Sequence, residues 1–396
     1  MITAFDLDEY GFAVPKTIEE LRKYLQAAIE VEHLTIPVYM TGMYTIHPGT
    51  NSEAYYVIRS VLLEEMLHMT LAANLLNAVG GTPRVAHPEF IGEYPVRLPM
   101  SSQDLPEIGL RHFSPEALRT FLAIEEPRSF HTEAPMGSGW TSIGQFYGAI
   151  AQGLFGLVER HGETHVFTGD ESRQVGPEHF YNSGGEAFKI TDWETALKAI
   201  EVISEQGEGA LDSIWDSDDV FFGQESQPAH YFRFNEIVMG HRYTLADRPT
   251  DPPSGPSMAV DWKGAYPIKG DSKVADYERY KDKSAVYDKA VEFNQTYALL
   301  LCALQKALDG EPSTMGLAVP FMLEMRDRAE QLYRNPHPDP ECAKQGLFAS
   351  ATFEITRPHL DQAKTQVEEY VAAAELDDEA PMDLSGLTVA TKGRFA

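Results

Sequence analysis

The sequence predicts an all-α protein built on a helical bundle. Three observations lead to this prediction: apolar residues recur with the helical period over long stretches, helix-capping patterns open several of these stretches, and runs with the alternating period of β-strands are sparse. The chain has 396 residues and a hydrophobic content of 43%, which is enough for a large packed core.

The first two predicted helices form a pair. Residues 17–46 open with the capping-box pattern TIEE and contain Pro37, which kinks a helix and removes one of its hydrogen bonds. A short turn leads to a second helix at about residues 52–79, which ends at Gly80. Because the connection is short, we expect the two helices to pack antiparallel.

A long excursion follows at about residues 80–190, rich in Pro, Gly and His, with two helical stretches expected at 114–125 and 140–160. A second capping-box pattern, Thr191-Asp-Trp-Glu194, opens a helix that runs to about residue 206. Further helices are predicted at about 228–243, with Pro228 at the first helical position, at 286–308 and 314–334, the latter with an interior Pro320, and near 360–375.

The composition excludes several classes of function. With 60 Asp and Glu against 32 Lys and Arg, the formal net charge is −28, which repels nucleic-acid phosphates and anionic lipid. The two cysteines cannot build a disulfide framework or a thiolate metal site. No secretory signal and no membrane-spanning run is visible, so we expect a cytoplasmic protein without nucleic-acid or membrane partners.

The predicted second helix contains charged residues in an apolar stretch, LLEEMLHM at residues 62–69. Glu65 and His68 are three residues apart, so both side chains lie on one helix face and can reach a single metal ion. A carboxylate with an imidazole suits iron, manganese or zinc. Because leucine and methionine leave this helix little polar surface, we expect the pair to lie inside the bundle.

The first helix offers a matching carboxylate. Dimetal four-helix proteins use one Glu from each of two helices and a Glu-x-x-His pair from each of the other two. Glu32 is the preferred ligand because Tyr39 follows seven residues later on the same face, and Glu30 is the competing candidate.

For the second half of the site we expect a glutamate from SEQGEG at residues 204–209. Glu208 lies between two glycines, which usually serve backbone geometry at a helix end, so it is the preferred ligand. Glu205 is the alternative. Both Glu64 and Glu205 are also candidates to orient the metal ligands through hydrogen bonds without binding the metal themselves.

His230 in QPAHYFRFNEI is the second expected imidazole ligand. The Glu-x-x-His pattern breaks here, because Gln227 occupies the position of the glutamate. Either Glu225 or Glu236 takes the role, or the second metal position is weak or empty.

Four blocks of sequence carry a resemblance: AIEVEHLTIPVYMTGMYTI, VLLEEMLHMTLAANLLNAVGG, SEQGEG and AHYFRFNEI. Together they resemble the ferritin-like domain of the iminophenyl-pyruvate dimer synthase family, over roughly residues 17–325. Named members couple oxidised amino-acid imines in violacein-type and indolocarbazole pathways, and they look longer than this chain. The resemblance implies a ferritin-like four-helix bundle, with additional helices and long loop insertions, and a redox metal site.

From these observations we expect residues 1–245 to form a metal-binding bundle with an insertion at about 80–190. Residues 246–396 are expected to add a Pro/Gly-rich loop and accessory helices packed on the bundle. The predicted metal ligands are Glu32, Glu65, His68, Glu208 and His230.

The predicted function is a non-haem iron oxidoreductase, with a dinuclear site, that uses dioxygen or peroxide on a small amino-acid-derived metabolite. Manganese is the alternative metal, and no catalytic side chain is assigned. A metal-binding protein without turnover and a catalase-like peroxide-detoxifying protein are the alternative functions. The sequence leaves the oligomeric state open, a homo-oligomer included.

Overall fold

The computed structural model describes residues 12–130, 139–181, 184–210 and 213–376, and within them the regular structure is helical. Strand-like pairing in these ranges is limited to isolated bridges, so the all-α prediction is confirmed. The helices of ten residues or more are α1 (Ile18–Tyr44), α2 (Ser52–Ala78), α3 (Pro115–Ile124), α4 (Ile143–His161), α5 (Trp193–Glu208), α6 (His230–Met239), α7 (Val286–Leu308), α8 (Ala318–Tyr333) and α9 (Arg357–Leu376).

Helices α1 and α2 form the predicted hairpin. The Thr17 hydroxyl accepts a hydrogen bond from the Glu20 amide, and the Glu20 carboxylate accepts one from the Thr17 amide, so the expected capping box is confirmed. Pro37 lies inside α1, where its missing N–H leaves the carbonyl four residues back without its helical partner. Every residue from Val31 to Met43 in α1 and from Glu64 to Ala78 in α2 is buried.

Helices α4 and α5 complete a four-helix bundle, because α4 packs against α5 and α1 while α5 packs against α2. The capping box of α5 differs from the prediction by one residue. Asp192, not Thr191, is the N-cap, and its carboxylate accepts from the Thr195 amide while the Thr195 hydroxyl accepts from the Asp192 amide. The Thr191 hydroxyl instead donates to the Asp192 carboxylate.

Helices α3 and α6 pack against each other and against the α1–α2 hairpin. Helix α6 begins at His230, two residues later than expected, and Pro228 precedes it in an isolated bridge with Trp215. This start determines where His230 points, because the residue is the first of its helix.

The remaining long helices, α7, α8 and α9, pack side by side, with α7 touching α2 and α8 touching α1. Pro320 lies in the first turn of α8, where no helical hydrogen bond is lost. One continuous hydrophobic core runs from the bundle into these helices, and the division of the chain at residue 245 stays a prediction. None of the helices in the described ranges is long and apolar enough to span a lipid bilayer.

Candidate metal centre

Two groups of buried side chains could each hold a metal ion. Glu32, Glu65 and His68 form one group, and Glu65, Glu125 and His230 form the other. In each group the potential ligand atoms all lie within 4.8 Å of one another. All five side chains are buried, with 2% or less of their surface exposed. Because Glu65 belongs to both groups, the arrangement could hold two ions with one shared carboxylate.

The distances place Glu65 between the two imidazoles. The Nδ1 atom of His68 lies 3.5 Å from Glu32 Oε2 and 3.7 Å from Glu65 Oε1. The Nδ1 atom of His230 lies 3.1 Å from Glu65 Oε1 and 3.5 Å from Glu125 Oε2. The two rings are nearly parallel, with centroids 5.4 Å apart.

The five side chains come from four helical segments. Helix α1 contributes Glu32, and α2 contributes Glu65 and His68 from adjacent turns of one face. Glu125 directly follows α3, and His230 is the first residue of α6. The bundle hairpin therefore supplies three of the side chains, and the two helices packed beside it supply the other two.

The tautomer of His68 follows from its neighbour Gln206. The Gln206 amide group donates to the carbonyl of Gly184 at 3.1 Å and to the carboxylate of Asp218 at 2.8 Å, and both of these oxygens can only accept. The Gln206 carbonyl oxygen must therefore face His68 Nε2, 2.8 Å away, and accept its proton. In the neutral ring this leaves the lone pair of Nδ1 directed at Glu32 and Glu65.

Glu64 holds the Nε2 proton of His230, as Gln206 holds that of His68. Burial alone would raise the pKa of Glu64, but the Arg233 guanidinium, 2.8 Å away, and His230 hold that pKa below its usual value. The ionised carboxylate can only accept, so His230 Nε2, at 2.8 Å, donates to it. The second terminal nitrogen of the Arg233 guanidinium lies 3.3 Å from Asp216 Oδ2. The expectation that Glu64 orients a ligand agrees with this geometry.

Two buried tyrosines hold the outer carboxylates. The Tyr147 hydroxyl donates to Glu32 Oε1 at 2.6 Å, and the Tyr39 hydroxyl donates to Glu125 Oε1. Burial and then the adjacent carboxylates raise the pKa of both phenols well above the usual value. Both hydroxyls therefore keep their protons and remain hydrogen-bond donors to the carboxylates.

The pKa of the shared carboxylate of Glu65 is strongly raised. Burial, and then the charges of Glu125 and Glu32, raise its pKa to about 7, while Thr35 donates to its Oε2 at 2.6 Å. Burial also acts to lower the pKa values of the two histidines, but the carboxylates outweigh it and raise both. Without a cation, the centre thus holds protons that compensate its buried negative charge.

The donor set fits a pair of divalent transition-metal ions. The Nδ1 atom of His230 is buried and makes no hydrogen bond, although carboxylate oxygens surround it. A metal ion that displaces the proton of this nitrogen would give it the partner that it lacks. Three carboxylates offset most of the charge of two such ions, and mixed carboxylate–imidazole sets suit iron and manganese.

The structure does not bring Glu208 into either group. Glu208 is the last residue of α5, and its carboxylate accepts from the Gly144 amide at 2.6 Å and from the Arg128 amide at 3.0 Å. Gly144 lies in the first turn of α4, so Glu208 caps the N-terminus of that helix with a negative charge.

The competing candidates also lie outside the two groups. Glu30 is half-buried and accepts from the Gln26 side chain. Glu236 accepts from Arg242 and from the Tyr243 amide. Glu225 is exposed, as is Gln227 at the position where the Glu-x-x-His pattern breaks, and Glu205 is in neither group.

Glu125 is the residue that the sequence reasoning missed. A signal was present, because Glu125 follows Phe121 by four residues on the apolar face of a helix predicted at 114–125. A carboxylate on such a face needs a partner or a metal ion. What the sequence could not indicate is that this helix end lies against the α1–α2 hairpin.

Comparison with known proteins identifies relatives of this chain. A family model described as Ferritin-like matches residues 25–239, which is more than half of the chain. The chain is 26% identical over 325 residues to dichlorochromopyrrolate synthase of Lentzea aerocolonigenes. That alignment covers 74% of this chain but only 29% of the synthase.

A solved structure has the same fold. The crystal structure of a ferritin-like protein from Caulobacter vibrioides superposes with a TM-score of 0.54 at 22% identity. The superposition covers 85% of this chain and 99% of the other. At this level of identity the likeness concerns the fold alone.

Proposed function

The chain belongs to the ferritin-like family, and on this premise we propose that it is a metal-dependent oxidoreductase with a dinuclear non-haem iron centre. The observation that carries the proposal is the pair of buried carboxylate–imidazole groups that share Glu65. In a centre of this composition, iron would supply electrons to dioxygen or peroxide by cycling between Fe2+ and Fe3+.

Each residue of the centre has a proposed part. Glu32, Glu65 and His68 would hold one ion, and Glu65, Glu125 and His230 the second. Glu125 thus takes the part that the sequence suggested for Glu208. Manganese remains the alternative metal because the same donors bind it.

The surrounding side chains keep these donors in place. Gln206 and Glu64 hold the two imidazoles by Nε2, so that both Nδ1 atoms face the carboxylates. Tyr39 and Tyr147 donate to the outer carboxylates, and their protons lie next to the centre. Because the whole set is buried, little water competes for the charged groups.

We propose a small amino-acid-derived molecule as the substrate. The support is the similarity to dichlorochromopyrrolate synthase, an enzyme whose name denotes a biosynthetic product. Because the chain spans 29% of that synthase, its own reaction need not be the same.

Metal analysis and redox assays test the proposal. We expect the protein grown with iron to hold close to two ions per chain, and the reduced protein to consume dioxygen. Glu65→Ala, which removes the shared carboxylate, is expected to lose both ions. Full metal occupancy in Glu65→Ala would overturn the assignment of the centre.

The same preparation separates the alternative functions. A reduced iron form that never consumes dioxygen or peroxide, whatever small molecule is added, would indicate a metal-binding protein without turnover. Rapid release of dioxygen from peroxide without an organic substrate would indicate a catalase-like protein instead.

A further inference from the structure

A second feature of the α1–α2 hairpin is a small cavity between the hairpin and helices α7 and α8. Its volume is about 30 Å³. Most of the lining is apolar, and five of the fifteen lining residues are methionines. The lining residues are His33, Ile36, Pro37, Met40, Met66, Met69, Thr70, Tyr181, Tyr297, Leu300, Leu304, Ala318, Met322, Met325 and Phe353.

The cavity adjoins the candidate metal centre. Ile36 follows Glu32 by four residues and Met69 follows Glu65 by four, so each lies roughly 40° round its helix from the ligand. Both residues also line the cavity. On both helices, residues that line the cavity therefore lie one turn along from Glu32 and Glu65, so the cavity is close to the centre.

The cavity is too apolar to hold water well. The Thr70 hydroxyl donates to the Met66 carbonyl, and the Tyr297 hydroxyl is hydrogen-bonded to His33 Nε2. Among the described lining residues, only His33 has a buried side-chain polar atom, Nδ1, without a hydrogen-bond partner. With the His33 carbonyl that Pro37 leaves unpaired, a water molecule would find about the minimum of the two to four hydrogen bonds that buried water typically makes.

We propose that this cavity is a binding site for a neutral diatomic gas, with dioxygen as its natural occupant. The volume suits it: a single water molecule needs roughly 10–15 Å³ by the same measure, so the space admits a diatomic molecule but not an amino-acid-derived metabolite. Polarisable methionine side chains contact a small apolar guest favourably and adjust to its shape. This inference rests on the proposed function, because it supplies the oxidant of the adjacent centre.

The lining argues against a cation as the occupant. It includes no carboxylate or thiolate, and an uncompensated charge would be costly to bury there. Burial also keeps His33 neutral, because burial lowers the pKa of that imidazole to about 3.

Xenon is the probe for the test, because it binds to apolar cavities without any chemistry at the metal centre. Crystals of the full chain pressurised with xenon are expected to show an anomalous peak among Met40, Met66 and Met325. The variant Ala318→Leu adds three carbons to the α8 side of the cavity and leaves α1 and α2 unchanged. We expect the peak to fall to less than about half of its occupancy in this variant.

Leu323→Ala is the matched control, since Leu323 lies on the same helix with 50% of its surface exposed and does not line the cavity. It should leave the xenon peak unchanged. Should Ala318→Leu fail to fold, Ala318→Val tests the same point with a smaller side chain. The absence of a xenon peak in the parent protein, or an ordered water molecule in its place, would overturn the proposal.

A second readout links the cavity to the oxidant. In steady-state dioxygen consumption, Ala318→Leu is expected to raise KM for dioxygen about threefold or more, with kcat at saturating dioxygen unchanged. An unchanged KM together with a lost xenon peak would overturn dioxygen as the natural occupant. If the protein turned out to bind no metal, the proposed function would fail while the xenon result remained.

Discussion

Glu125, which is buried, and Glu208, which is half-buried, are neighbouring carboxylates with different surroundings. Glu125 belongs to a potential metal-binding group, whereas Glu208 accepts hydrogen bonds from two backbone amides. We expect Glu125→Gln to reduce bound metal from about two ions per chain to about one, because an amide is a weaker ligand than a carboxylate. Metal content after dialysis measures this.

Glu208→Gln is the paired experiment. It should keep full metal content but lower the free energy of unfolding by about 1–3 kcal/mol, because a charge-assisted set of hydrogen bonds to two backbone amides is weakened. Loss of metal in Glu208→Gln with retention in Glu125→Gln would reverse our assignment and restore the one made from sequence.

Gln206 is expected to act on the centre only through His68. Gln206→Leu removes the acceptor of the His68 Nε2 proton, so the ring can turn or change tautomer. Metal affinity should fall about 10- to 100-fold, as is typical for the loss of a hydrogen bond that orients a ligand. Competitive titration with a chelator measures the affinity.

A second buried amide provides the control for Gln206. Asn77 donates to the carbonyls of Arg173 and Leu308 and contacts none of the proposed ligands. Asn77→Leu should cost stability to a similar extent but leave metal affinity unchanged. Equal losses of affinity in both variants would mean that Gln206 matters only for folding.

The proposed ligands differ in how much of the evidence for them lies in the neighbouring sequence. Glu65 and His68 were predictable because the helical period puts a spacing of three on one face. His230 and Glu32 were predictable as charged groups in apolar surroundings. Glu125 was not, since its role depends on where the end of α3 packs, and no local pattern encodes that position.

At the scale of the single helix, the beginning of α4 depends on a close contact. A Cβ atom added at Gly144 would lie 2.4 Å from Glu208 Oε2, which is too close for the carboxylate to remain. Gly144→Ala is therefore expected to lower the free energy of unfolding by about 1–3 kcal/mol, through loss of the charged cap. Chemical denaturation measures the change.

Helix α4 contains its own control. Gly156 lies in the same helix, and a Cβ atom there would meet nothing within 4 Å. Gly156→Ala should be neutral or stabilise the protein by up to about 1 kcal/mol, because alanine favours helix over glycine. If both substitutions stabilised the protein, Glu208 would not be capping α4.

Helix boundaries were largely predictable, and the exceptions have local causes. Helix α7 has the predicted limits, 286–308, and α2 ends within a residue of its prediction. The start of α6 was placed too early because Pro228 also suits a bridge. Gln227 therefore lies outside α6, and the helical spacing that made it a candidate ligand position does not apply.

At the scale of the whole molecule, the metal-free protein should lose stability as the pH rises. The folded pKa of Glu65, about 7, is above its usual value of 4.5, so the folded chain holds this proton more tightly than the unfolded chain does. The resulting stabilisation is complete below pH 4.5 and disappears as the pH rises through about 7. It amounts to about 3 kcal/mol.

His68 and His230 act in the same direction. Their folded pKa values are raised, so their contribution is complete below their usual 6.5 and disappears at higher pH. Unfolding of the metal-free protein, measured from pH 5 to 8, should show a falling midpoint. Metal-loaded protein should show no such fall, because deprotonated ligands bind metal more tightly. A metal-free Glu65→Gln protein with an unchanged pH profile would contradict the assignment to Glu65.

The resemblance noted from the sequence is confirmed by the Ferritin-like match and by the similarity to dichlorochromopyrrolate synthase. A helical bundle was predictable because its helices carry strong periodic patterns, but the part of α4 was not, because α4 lies in the stretch predicted as an insertion and packs against α5 and α1. The packing of α3 and α6 beside the hairpin was not, since it depends on contacts between segments far apart in the sequence.

The proposed ligands are distributed along the chain from Glu32 to His230, and this spacing has a consequence for assembly. An ion held by Glu65, Glu125 and His230 would close two long loops of chain at once. Closing a loop costs conformational entropy, and this cost rises only slowly with the length of the loop. The ions would therefore act as cross-links between distant segments, and the ends of α3 and α6 should be the first segments to exchange amide hydrogens after a chelator removes the ions.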